Sequence, residues 1–161
     1  MAINLFWKNM KLAEALIIRA DLQKRIAQLS ERLKDSARVQ EGDEPAESVE
    51  ILREELEGVL SQVEDLIYRI NVTNMQTVLE GETLTRMMAQ KDVLAMRLNV
   101  LRSLIEHVTG GEARYGRNEI KFVRTVDVAE LRRTVDAYSK QLRELDTKIQ
   151  GLNWTTDLVE V

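Results

Sequence analysis

The chain has no cysteine, which excludes a disulfide framework, a thiolate zinc site and a cysteine nucleophile. It has a single proline and only 4% aromatic residues, a composition that excludes a sandwich or barrel of short, turn-rich strands. Its one histidine is His107, and Leu104 stands three residues before it. The Glu-x-x-His pairs that hold two metals inside a helical bundle are therefore absent. No run approaches the roughly 18 consecutive apolar residues of a membrane-spanning helix. The opening MAINLFWKNMKLAEALIIRAD is interrupted by lysine and asparagine and shows no small-residue cleavage site, so no signal peptide is read and a cytoplasmic location is expected. A formal charge of -4 argues against wholesale binding to nucleic acid or to an anionic membrane.

What is abundant is charge, at 31%, set against 44% hydrophobic residues over 161 positions. That is one domain's length with enough apolar material for a core, in proportions that suit long amphipathic helices. From Lys11 the series Ala15, Ile18, Leu22, Ile26, Leu29, Leu33 and Ala37 steps by threes and fours, which puts one stripe on one face of a helix. Gly42 and Pro45 stop it, and Ser48 is positioned to cap a second helix. That helix repeats Val49, Leu52, Leu56, Val59, Val63, Leu66 and Ile70 at strict heptad spacing and closes at NVTN. After MQTVLEGE, read as a loop, Thr83 or Thr85 caps a third helix on Leu94, Leu98, Leu101, Ile105 and Val108, whose apolar face is widened by Met88, Val93, Val100 and Leu104. Gly110 and Gly111 end it. A short extended piece is predicted near 119–126 from the alternation of Ile120 and Phe122. Asp127 and Glu130 then make a capping-box spacing for a fourth helix on Val128, Leu131, Val135, Tyr138, Leu142, Leu145 and Ile149, which Gly151 is expected to stop.

The predicted fold is all-α: an elongated antiparallel four-helix coiled bundle, or helical hairpins, because short links make successive helices antiparallel neighbours. Charge chooses the first pairing. Residues 1–40 hold eight Lys/Arg against four Asp/Glu, whereas residues 41–66 hold ten acids against Arg53 alone. The first two helices can align flank to flank through ion pairs of about 0.3–0.5 kcal/mol each.

Three clusters offer groups for chemistry. The acidic turn EGDEPAE offers Glu41, Asp43 and Glu44 as oxygen ligands for a hard cation, but it lacks the spacing of an EF-hand loop, and the plain reading is a solvated turn. Arg114, Arg117, Lys121 and Arg124 lie beside Tyr115 and Phe122, an interleaving that suits single-stranded nucleic acid. Interspersed acids dilute the patch, and its ordinary role is pairing with an acidic helix. Asn71 and Asn74 of NVTN and Asn153 and Trp154 of NWTT should meet at one pole, where the second and fourth helices end and the first and third begin. There they can form either a structural plug and cap, with the Trp154 ring buried, or a small polar pocket. The N-x-Thr patterns at Asn71 and Asn153 are accidental where no secretion signal is read. No catalytic residue, metal ligand or cofactor site is predicted.

The stretches MKLAEALIIRADLQKRI, VQEGDEPAE, INVTN, TLTRMMAQKDVLAMRL, RYGRNEIKFVRTVDVAEL and LDTKIQGLNWTTDL resemble a small family of uncharacterised bacterial helical proteins, some of whose members carry the label septicolysin. The resemblance runs through most of the chain from Met10 onward. It implies a long helical coiled architecture and transfers no functional residue. Members of that family begin at the position of Met10, so it also implies an N-terminal extension at 1–9 ahead of a single helical domain at 10–161.

The function expected is that of a non-enzymatic structural or interaction protein that forms a homo-oligomer through coiled helices, without membrane contact. In the fourth helix Val128, Val135 and Ile149 occupy one heptad position and Leu131, Leu145 and Leu152 the other, a segregation that suits a two-stranded seam. The alternatives are an RNA- or tRNA-binding helical arm working through Arg117, Lys121 and Arg124, and a bundle that binds a small ligand or a metal.

Overall fold

The computed structural model describes residues 9–110 and 123–160. Four long helices account for most of them: α1 (Leu12–Ala37), α2 (Val49–Gln76), α3 (Leu84–Thr109) and α4 (Val128–Thr155). Two strands of two residues each, β1 (Val78–Leu79) and β2 (Glu82–Thr83), pair antiparallel between α2 and α3. The all-α architecture is the one predicted. No helix among the described residues is long and apolar enough to cross a membrane.

The chain divides into two compact units, Met1–Leu84 with Gly151–Val161, and Thr85–Gln150. In the first, α1 and α2 lie antiparallel over a core of Leu29, Leu52 and Val59, against which Leu22, Ile26, Leu33 and Leu56 pack. These are the positions that the two stripes mark. The opposite charges meet across the pair as expected, with Arg25 bonded to Glu55 at 2.6 Å and Arg32 Nε donating to Glu47 at 2.8 Å. Ser48 caps α2 by accepting from Ile51 N. In the second unit α3 and α4 are also antiparallel. Lys91 is ion-paired to Asp146, and Arg102 reaches Ser139 at 3.3 Å. Asp127 caps α4 through Ala129 N at 2.8 Å and Glu130 N at 3.1 Å.

Three boundaries differ from expectation. Gly151 does not stop α4, which continues to Thr155. Nothing lies within 4 Å of the position a Cβ would take at Gly151, and its neighbours carry the helical ladder onward. MQTVLEGE contains a hairpin, not a plain loop. Its turn residues Glu80 and Gly81 both have positive φ, 54° and 87°, the conformation that gives a two-residue turn the twist of its strands. Of the extended piece expected near 119–126, residues 119–122 lie outside the described residues, and positions 123–126 carry no strand. The proposed extension at 1–9 also lies outside them, except for Asn9.

Candidate functional site: a polar pole and an open helical face

At one end of the first unit the chain termini of four elements converge. Leu12 N, at the start of α1, donates to Thr156 O at 2.9 Å, and Leu158 N donates to Met10 O at 2.7 Å. Lys11 Nζ reaches Asp157 at 2.6 Å. Residues 156–159 thus form a strap beyond α4, and α2 fastens its far end. The buried Arg69 donates through Nε to Val159 O at 2.8 Å, while Val159 N donates to Thr73 Oγ1 at 3.0 Å. Thr73 Oγ1 donates in turn to Arg69 O at 2.8 Å. The start of α3 joins through Leu84 N, which donates to Thr77 O at 2.8 Å. Orphan groups at helix ends are satisfied here by one another.

The pole is where NVTN and NWTT are expected to meet, and the four residues named there differ in burial. Asn74 and Asn153 are buried, Asn71 is exposed, and Trp154 is 57% exposed. The ring of Trp154 is not a plug. Because α4 runs through Gly151, Asn153 follows Ile149 on the inward stripe, and Trp154 falls one position round, on the outward face with Gln150. Leu12, Ile70 and Leu158 supply the buried apolar contribution instead. Arg69, Thr73 and the strap carry the junction; Thr73 continues the stripe of Leu66 and Ile70, but no periodicity marks Arg69 or the strap, since an arginine at the rim of a stripe reads as surface.

Of the basic patch, Arg114, Arg117 and Lys121 lie outside the described residues. Arg124 donates through Nε to Val108 O at 2.7 Å, satisfying a carbonyl in the last turn of α3. Glu41, Asp43 and Glu44 are exposed on the turn at Gly42. No group of three or more Asp, Glu or His side chains able to hold a metal is found among the described residues.

The second unit carries the open surface. Among the described residues its buried apolar side chains are Met87, Leu98 and Ile149, against twelve in the first unit. Along one face between α3 and α4 runs a cleft of about 530 Å³ bordered by Arg86, Val93, Arg97, Glu144 and Lys148. It adjoins an apolar groove of about 420 Å³ lined by Val93, Met96, Val100, Leu101 and Tyr138. Arg97 lies 6.0 Å from the centre of the Tyr138 ring, within cation–π range. Met96 and Val100 are 64% and 69% exposed. The sequence marks Val93 and Val100 only as a widening of the apolar face of α3, and does not mark Met96. Leu145, proposed as part of a self-association seam, is half-buried and borders the same cleft.

A family model described as "Family of unknown function (DUF6847)" matches residues 19–158. None of the curated proteins matches the chain. The crystal structure of a functionally unknown conserved protein from Corynebacterium diphtheriae is similar over 93% of this chain and 99% of that one, at 42% identity and a TM-score of 0.86.

Proposed function

We propose that this chain, which belongs to the family of unknown function that its sequence matches over residues 19–158, is a non-enzymatic interaction protein of the cytoplasm that self-associates through its coiled helices. One observation carries the reading: in a unit of only two helices, Val93, Met96 and Val100 stand in a row on α3 at 45%, 64% and 69% exposure. Each buried methylene is worth about 0.8 kcal/mol. A contiguous apolar face left to water at that cost marks an interaction surface. The sequence likeness to proteins labelled septicolysin adds the bacterial helical family, and no lytic step follows from the described residues.

Sedimentation of the full chain across a concentration series tests the reading, with the double variant Met96→Lys/Val100→Lys beside it. Both side chains are exposed, so the variant keeps its helical content. The wild type is expected to gain mass with concentration and the variant to stay monomeric. A wild type that is monomeric throughout, or a variant with unchanged assembly, removes the proposal.

A further inference from the structure

Two helix faces in different parts of the chain carry the same pattern with opposite charge. On α3, Val93, Arg97 and Val100 follow one another at spacings of four and three. On a flank of α2, Leu60, Glu64 and Ile67 follow at the same spacings, beside the stripe of Leu52, Val59, Val63 and Leu66 that α2 buries in its own unit. All six side chains are exposed, Leu60 and Ile67 at 40% and 41%. Each face is thus an apolar pair with a charge between its members, a cation on α3 and an anion on α2. Side chains three and four apart on a helix form one continuous strip.

The wider charge agrees. Within α2 six acids stand against two arginines, and within α3 four Lys/Arg stand against two acids. Glu57 extends the acidic strip one turn toward the start of α2, and Arg86 extends the basic strip toward the start of α3. Two copies presenting the same α3 face to each other would set Arg97 against Arg97, so a basic strip with an apolar floor selects an acidic amphipathic helix.

From this complementarity we infer that the occupant of the α3 face is α2 of a second copy, Glu64 meeting Arg97 between the paired apolar side chains. The inference rests on the self-association proposed above and names its surfaces. Because the two faces differ, every copy offers one of each kind, so two copies can exchange both contacts across a two-fold axis, or successive copies can join head to tail. Apolar contact supplies the affinity, and the charges select the partner face.

Charge exchange tests it on the full-length protein, with E64K, R97E and the combined E64K/R97E measured by sedimentation at low salt. All three keep wild-type helicity, as exposed substitutions should. Each single reversal is expected to raise the concentration for half-assembly by about tenfold or more, since like charges then face each other. The combined variant, and an equimolar mixture of the two singles, are expected to recover wild-type assembly, because the pair is restored with its signs exchanged. Assembly that ignores both single reversals, or a combined variant no better than the singles, overturns the assignment of faces while leaving self-association standing. A wild type that never assembles overturns both.

Discussion

Replacing Thr73 by valine removes one hydroxyl from the junction between α2 and the strap while keeping the side chain's shape. That hydroxyl makes two hydrogen bonds, donating to Arg69 O at 2.8 Å and accepting from Val159 N at 3.0 Å. Arg69 O lies inside α2 and keeps its helical partner, so losing the first costs little. Val159 N has no second acceptor in the junction, and the incoming methyl blocks water from the position. The expected cost is that of a part-buried amide left without a partner, about 1–2 kcal/mol. Leu12 N to Thr156 O and Leu158 N to Met10 O remain, which confines the damage to the end of the strap. Hydrogen exchange at the Val159 amide reads this directly: a loss of that size accelerates exchange about 5- to 30-fold. Thr73→Ser keeps the hydroxyl and holds near the wild-type rate. If Thr73→Val exchanges within about twofold of wild type with its helicity intact, the strap is not held through Thr73 and the account of the pole is wrong.

Gly151→Ala is expected to stabilise the protein by about 0.5–1 kcal/mol, because the position is helical and a methyl there meets nothing within 4 Å; a urea midpoint unmoved or lowered would contradict a continuous α4. Acid is expected to weaken both helix pairs. The hydrogen bond from Arg32 holds the Glu47 carboxyl below its ordinary 4.5, and the one from Lys91 holds Asp146 below its ordinary 3.8. A depressed carboxylate contributes stability that is present above the unfolded pKa and lost as pH falls through the folded one. Melting temperature should therefore decline as pH drops below about 5. These pairs are exposed, so the decline is small and shrinks further in high salt. Glu47→Gln should flatten part of it, and an unaltered slope would remove the Arg32 pair from the account.

The helices were legible because burial in this fold is periodic. Leu29, Leu52, Val59 and Leu66 fall on stripes that count out by threes and fours, and Ser48 and Asp127 stand where their oxygens meet the first free amides. The α1–α2 pairing was legible too, since charge of opposite sign is separated along the chain. What the pattern could not carry were contacts made by single atoms over long sequence separations. Arg69 reaches Val159 O across 90 positions, and a guanidinium that spends itself on a backbone carbonyl looks in sequence like any surface arginine. The hairpin was hidden because its turn uses Glu80 and Gly81, and glutamate is an uncommon choice at positive φ. Trp154 was misplaced by a single misjudged stop: once α4 passes Gly151, the helical phase alone turns the ring outward.

Under the proposed self-association, the uneven burial of the described residues in the two units ties stability to association. The first unit closes its helices over twelve buried apolar side chains and bolts its ends together through Arg69, Thr73 and the strap. Among its described residues the second has three such side chains and an apolar groove left open along α3. Helix pairs of this length draw most of their stability from packing, since helix formation alone is marginal in water. A unit so sparsely packed opens at lower free energy than its neighbour, and a partner that binds only the closed form stabilises it in proportion to the logarithm of that partner's concentration. Where the partner is another copy, the order of α3 and α4 becomes a function of how much of the protein is present. Under the proposed self-association, the exposed stripe of Val93, Met96 and Val100 has a physical reason to stay apolar: a second molecule would cover it.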